Sequence, residues 1–195
     1  MELEVKNQEL EDKVAQRTRE LQDANSLLNQ QSIHDELTGL HNRRYVMTEL
    51  ERLIYDYNRY EVMFSILFID LNKFKVVNDT YGHDYGDAVL KWIAQFLKDN
   101  TRQSDIACRM GGDEFVVLCP HSDGEQAFTL ANKLVELTNT LPADNRLEFW
   151  EPSFSIGVAE FEKAMKEPSD ILSKADASMY EAKKSGRCFA VLTRD

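Results

Sequence analysis

Apolar and polar residues along this chain follow two rhythms that change near residue 33. Residues 1–33 contain neither Gly nor Pro and are rich in Glu, Gln, Lys, Asn and Leu, which predicts helix. Placing heptad position a at Asn7, Val14, Leu21 and Leu28 puts d at Leu3, Leu10, Arg17, Ala24 and Gln31. The seam is apolar at most positions and polar at Asn7, Arg17 and Gln31, the pattern of a two-stranded coiled coil whose polar positions fix register and weaken pairing. A helix of this length reaches about 50 Å, too far for a domain of the remaining size to cover. Residues 1–33 are therefore expected to form a dimerising stalk, and 34–195 a globular domain.

From "HDELTGLHNRRY" (34–45) onward the heptad is lost. A helical pattern runs through Leu50, Leu53 and Ile54. "VMFSILFIDL" (62–71) is a near-continuous apolar run, the mark of a strand buried on both faces. "DAVLKWIAQFLKD" (87–99) returns to helical spacing. "DIACRM" and "FVVLC" follow, joined by Gly-Gly as a hairpin. "GEQAFTLANKLVELTNTL" (124–141) reads as helix and "PSFSIGVAEF" (152–161) alternates like a strand. "SDILSKADASMYEAKKSG" (169–186) reads as helix with Ser169 as N-cap, and "CFAVL" (188–192) as a last strand. This order predicts an α+β domain: a mixed central sheet with a hairpin at its heart, surrounded by helices.

The chain has 195 residues, 43% of them apolar, enough for one sizeable core. Its net charge of −11 excludes a general electrostatic grip on nucleic acid or an anionic membrane. A polyphosphate ligand would have to be held locally, by a metal or a few placed cations. No apolar run approaches the length of a membrane span, and the N-terminus lacks the layout of a signal peptide. Cys108, Cys119 and Cys188 lie in apolar, strand-like settings without a Cys-x-x-Cys. They read as reduced core residues of a cytoplasmic protein.

Three acids break the apolar pattern. Asp70 ends the buried strand, where a charge is costly unless paired or bound to a metal. Asp113 and Glu114 follow Gly111 and Gly112 at the hairpin tip. A Gly-Gly-Asp-Glu turn taken alone reads as a solvated bend. If the hairpin pairs beside the first strand, however, three carboxylates converge and need a cation. Hard oxygen ligands of this kind suit Mg²⁺ or Mn²⁺ carrying a substrate phosphate, two ions per site being able to serve both attacking and leaving oxygens. "LNKFKVVNDTYGHDYGDAVL" (71–90) is a polar, Gly-containing passage from strand to helix, where α/β sheets bind ligands. Its Lys73 and Lys75 suit phosphates or plain solvent, Asn78 a base or a turn, and Asp87 a ligand or a helix cap. Lys183 and Arg187 flank a helix end, where cations complement the dipole without any ligand.

"RMGGDEF", together with "DELTGLHNRR", "FIDLNKFKVVNDTYGHDYGD" and "YEAKKSGR", resembles the GGDEF family of diguanylate cyclases, in the family's order and across residues 35–195. The resemblance implies a nucleotide-cyclase palm of ferredoxin-like fold that joins two GTP into cyclic di-GMP and releases two pyrophosphates. It implies Mg²⁺ or Mn²⁺, two per site, on Asp70, the main-chain carbonyl of Leu71, Asp113 and Glu114. Glu114 would be either a metal ligand or the base for the ribose 3′-hydroxyl, and Asp113 stands as the other candidate base. Phe74, Asn78, His83 and Asp87 match positions around guanine and ribose, and Gly111 and Gly112 let backbone pass close to the nucleotide. Lys75 would steady charge growing on the phosphoryl group, and Lys183 with Arg187 would grip the β- and γ-phosphates. Arg102 and Asp105 resemble the family's product-inhibition site, where Lys133 stands in place of a helping Arg and cannot make a forked contact. Asn72 replaces an acid common two residues after the metal Asp, and Met110 an aromatic before Gly-Gly; neither touches the implied chemistry. Rival readings are a nucleotide-binding receptor without catalysis, a cyclase making adenine or mixed products, and a purely structural coiled-coil dimeriser, which leaves the globular part unexplained.

The implied product is two-fold symmetric, so two nucleotide-loaded domains must face each other. A homodimer held by the stalk supplies that meeting by raising effective concentration, and the stalk's register offers a regulatory lever. A coil this long usually follows a sensor, so an upstream sensor module is expected, on a longer chain or a partner.

Overall fold

The computed structural model describes residues 13, 14, 16–18, 33–140, 147, 150–184 and 189–193. The chain divides into two units, Met1–Ile33 and His34–Asp195. In the first unit residues 13, 14 and 16–18 are helical, with the Thr18 hydroxyl donating to the Val14 carbonyl at 2.8 Å. Apart from Val14 and Arg17, the heptad seam expected there lies outside the described residues.

The second unit is a six-stranded mixed sheet with helices on both faces. In chain order it runs β1 (His41–Asn42), α1 (Arg43–Tyr60), β2 (Phe64–Leu71), α2 (Phe74–Tyr81), α3 (His83–Asn100), β3 (Ile106–Gly111) and β4 (Glu114–Pro120). Then follow α4 (Gly124–Thr140), β5 (Phe154–Glu160), α5 (Pro168–Lys184) and β6 (Phe189–Leu192). The strands lie in the order β1-β3-β4-β2-β5-β6. β3–β4, β4–β2 and β2–β5 are antiparallel, and the outer pairs β1–β3 and β5–β6 are parallel. The α+β expectation holds.

Strand alternation explains the layering. On β2, Leu67, Ile69 and Leu71 join Phe115, Val117 and Cys119 of β4 in a core under α3 and α4. Phe64, Ile66 and Phe68 join Val116 and Leu118 in a second core under α1 and α5. Every residue of β2 is buried, as the unbroken apolar run requires. Asp70 continues the row Phe64–Ile66–Phe68, so its side chain belongs to the face covered by α5.

The sequence reading needs four corrections. β5 is buried at six of its seven positions instead of alternating, because it sits between β2 and β6. The passage 71–90 is largely helical, since α2 and the first two turns of α3 lie within it, broken at Gly82 with φ 85°. Asp87 is therefore in the second turn of α3, where it caps nothing. Ser169 lies inside α5, which starts at Pro168; the Asp170 carboxylate instead accepts from the N–H groups of Lys166 and Glu167.

α5 lies hard against β5 at Gly157. A Cβ built there would stand 1.9 Å from the Ala175 carbonyl oxygen and 2.3 Å from the Met179 nitrogen, both backbone atoms of α5. Gly157→Ala must push the helix off the sheet, and urea unfolding is expected to show a loss of about 3 kcal/mol. An unchanged midpoint would mean that α5 gives way freely.

Candidate active site

The register of three strands gathers the acids. Asp70 pairs with Glu114 across β2–β4 and with Ser155 across β2–β5. The next backbone group, Leu71 N–H, donates to the Asp113 carbonyl at 3.3 Å and closes the hairpin tip onto the end of β2. Asp70 is 7% exposed, and its Oδ1 accepts from Lys183 Nζ in the last turn of α5 at 2.6 Å. Burial pushes the Asp70 carboxyl above its ordinary value; Lys183 opposes this, and the charges of Asp113 and Asp176 add to it. Glu114 is also raised, first by burial and then by Asp70, Asp113 and Asp176. Four carboxylates thus share one electrostatic neighbourhood, and Asp176 of α5 is one that sequence reasoning missed.

Two further residues absent from the sequence-level site fix the hairpin tip. Gly111 and Gly112 take φ 144° and 53°, which favours glycine at this bend. Their conformation is tied down by Arg109, which donates through Nε and Nη2 to the Gly112 carbonyl at 3.0 and 2.8 Å. Its Nη1 reaches both oxygens of Asp35 at 3.2 Å. Asp35 in turn accepts from the Thr38 N–H and hydroxyl at 2.9 and 2.6 Å. The signal for this chain of contacts is an Asp three residues before a Thr, the spacing of a side-chain-capped turn.

The nucleoside-side candidates lie on α2 and α3. Phe74 and Asn78 share the α2 face that meets α3 at Gly86, where a Cβ would fall 1.9 Å from Asn78 Oδ1 and 3.3 Å from Phe74 Cζ. The missing side chain of Gly86 therefore makes room for the Asn78 amide, and Asp87 follows it on α3. His83 opens α3 and Lys75 sits one residue into α2, both exposed. Lys183 faces Asp70, and Arg187 lies outside the described residues. Arg102, Asp105 and Lys133 come together in a separate cavity of about 170 Å³. There Asp105 accepts from the Arg102 N–H at 2.9 Å, and Lys133 Nζ donates to the Asn100 carbonyl at 3.1 Å. A cavity of about 380 Å³ between α2 and the residues before β5 is lined by Lys73, Trp150 and Glu151 among others; of the residues singled out in the sequence for ligand binding, it holds Lys73. Cys108 and Cys119 are buried free thiols, and burial pushes Cys108 up to about 12.

The donor set fits a magnesium-like ion. Among the described residues no three His, Cys, Asp or Glu side chains form a ready-made cage. Mg²⁺ is ordinarily held by one or two carboxylates plus substrate phosphates, keeping several waters, so a buried Asp beside two hairpin acids is the open arrangement it uses.

The sequence matches the family described as "Diguanylate cyclase, GGDEF domain" over residues 32–188. It is 37% identical to Diguanylate cyclase TpbB of Pseudomonas aeruginosa over 171 residues, 86% of this chain and 39% of the relative. It is 39% identical to Response regulator PleD of Caulobacter vibrioides over 159 residues, 80% of this chain and 35% of PleD. Among solved structures, diguanylate cyclase SiaD of P. aeruginosa in complex with its activator SiaC superposes with a TM-score of 0.76 at 31% identity, covering 97% of this chain and 73% of that one. The coiled coil and GGDEF domain of DgcB from Caulobacter crescentus, in complex with c-di-GMP, gives 0.74 at 26% identity over 94% and 99%. The chain belongs to the GGDEF-domain diguanylate cyclase family. It spans well under half the length of the curated relatives TpbB and PleD.

Asp35, tied to the hairpin tip through Arg109, supplies a pH signature of its own. Burial alone would raise its carboxyl, but hydrogen bonds from Thr38 and Arg109 and the Arg109 charge bring it below the ordinary 3.8. A depressed carboxylate stabilises the fold fully above its unfolded value and loses that contribution as pH falls through the folded one. Asp35→Asn should therefore flatten the loss of stability below about pH 4 in thermal melts. Arg109→Ala strands Asp35 and should cost about 1–3 kcal/mol at neutral pH.

Proposed function

We propose that this chain is a diguanylate cyclase that condenses two GTP into cyclic di-GMP and two pyrophosphates across a homodimer. The observation that carries this reading is the Asp70–Glu114 register with the Asp113 carbonyl closed onto Leu71, which brings the family's acids to one strand end. Asp70, the Leu71 carbonyl, Asp113 and Glu114 would hold Mg²⁺ or Mn²⁺. When bound, such an ion supplies positive charge against the phosphates and makes the ribose 3′-hydroxyl more acidic.

The protein's own groups do the rest. Glu114, or Asp113 beside it, would take the proton of the attacking 3′-hydroxyl; burial and its acidic neighbours raise the Glu114 carboxyl above its ordinary value. Asn78 and Asp87 read guanine: a carboxylate accepts from its N–H groups and meets a mismatched edge on adenine. Phe74 packs beside them, and His83 borders the ribose. Gly111 and Gly112 leave room for the nucleotide at the tip. Lys75, Lys183 and Arg187 neutralise phosphate charge, so a protein of net charge −11 grips a triphosphate with a few local cations.

Each domain holds one GTP, so the two-fold symmetric product requires two domains face to face, and residues 1–33 would provide that dimer as a coiled coil. We place the reaction in the cytoplasm, downstream of a sensor. Arg102, Asp105 and Lys133 would bind cyclic di-GMP as an inhibitor, Arg102 stacking on guanine while Asp105 accepts from its edge.

Purified protein incubated with GTP and Mg²⁺ should yield cyclic di-GMP and pyrophosphate on chromatography, and ATP should yield no cyclic product. Asp70→Asn and Glu114→Gln should each lower kcat by about a thousandfold; near-normal turnover in either would refute the assignment. Arg102→Ala should leave initial turnover intact and raise the product's inhibition constant about tenfold or more.

A further inference from the structure

We propose that Lys183 and the divalent cation occupy the Asp70 carboxylate in turn, so that the protein takes up the cation together with a triphosphate and disfavours the cation alone. The inference rests on the reading of this site as a metal-dependent nucleotide site, and it assigns Lys183 a role beyond holding phosphate.

Lys183 Nζ donates to Asp70 Oδ1 at 2.6 Å, and the Asp70 side chain is only 11% exposed. A carboxylate so enclosed offers few approaches. An ammonium and a divalent ion on one enclosed carboxylate would crowd each other and repel each other by charge. The surrounding acids explain why a lysine belongs there: Asp113, Glu114 and Asp176 all raise the cost of leaving Asp70 unpaired. Among the described residues, Lys183 is the side-chain cation hydrogen-bonded to this cluster. Its neighbour cannot take its place, since Lys184 Nζ is held by Glu181 at 2.7 Å and lies over the Tyr180 ring.

Release is also built in. Lys183 is 43% exposed and sits in the last turn of α5, whose path is fixed at Gly157, so its flexible stem can swing away while the helix stays. Metal alone must displace the ammonium into water with nothing gained in exchange. A metal–triphosphate complex offers it phosphate oxygens instead, so cation and nucleotide bind with positive coupling, each improving the affinity of the other by the same factor.

The test is Mn²⁺ binding to the whole chain, followed by the electron paramagnetic resonance signal of free Mn²⁺, with and without a non-hydrolysable GTP analogue. Lys183→Met should bind Mn²⁺ alone about fivefold more tightly than wild type, the loss of one competing ion pair. It should bind the analogue more weakly, so that the nucleotide's enhancement of Mn²⁺ affinity shrinks. Lys183→Arg, which keeps the cation, should retain the wild-type pattern, and thermal melts of both variants establish that they are folded. A Lys183→Met protein that binds Mn²⁺ alone no better than wild type overturns the exchange. Failure of all three proteins to bind Mn²⁺ in either arm overturns it together with the metal reading. A wild type that shows the predicted Mn²⁺ pattern but forms no cyclic di-GMP supports the exchange and overturns the cyclase assignment.

Discussion

Asp70 closes a strand whose other residues are all buried, and its carboxylate lies 2.6 Å from the ammonium of Lys183. The rest of the architecture is arranged around that ion pair. A charge can end a central strand only if something meets it, and Lys183 of α5 does so, while β4 sets Glu114 opposite and the hairpin tip closes onto Leu71 through the Asp113 carbonyl. The same alternation that seats Phe64, Ile66 and Phe68 under α1 and α5 aims Asp70 toward α5. Packing and chemistry therefore share one register, and a slip that displaced the acid would also turn the core inside out.

The helices divide the remaining work. α5 is seated against β5 at a glycine and delivers a cation and a further acid to the strand end. α2 and α3 meet at another glycine, Gly86, and carry Asn78 and Asp87. The candidate base-side residues thus rest on a helix–helix contact, and the charges at the strand end on a helix–sheet contact, so each can vary while the other stays fixed. Arg109 joins the hairpin tip to the turn at Asp35, which makes the bend a supported corner and not a free loop.

Much of this was legible in the sequence where a local rule was broken. An acid at the end of an apolar run identified Asp70, and paired glycines between two strand-like runs identified the tip. Features set by tertiary placement were not legible. α2 has only eight residues, too few for its helical spacing to stand out among polar neighbours, so it read as loop. β5 seemed to alternate because Ser155 and Gly157 interrupt its apolar residues, and only its position inside the sheet buries them. The Asp35–Arg109 pair spans 74 positions, beyond any local pattern. Asp176 drew no notice because its relation to the acids depends on how α5 lies on the sheet. Asp87 looked like a helix cap because α3's true start at His83 was hidden by Gly82 and Gly86.

The hairpin also fixes a distance. Asp105 immediately precedes β3, and the acidic tip follows its last residue, Gly111. Six steps of extended chain separate the two by about 20 Å. A molecule lodged in the Arg102 groove stands a full strand's length from the acids and touches none of them. Its influence on chemistry would have to travel as restraint on how whole domains move, a matter of leverage and not of obstruction.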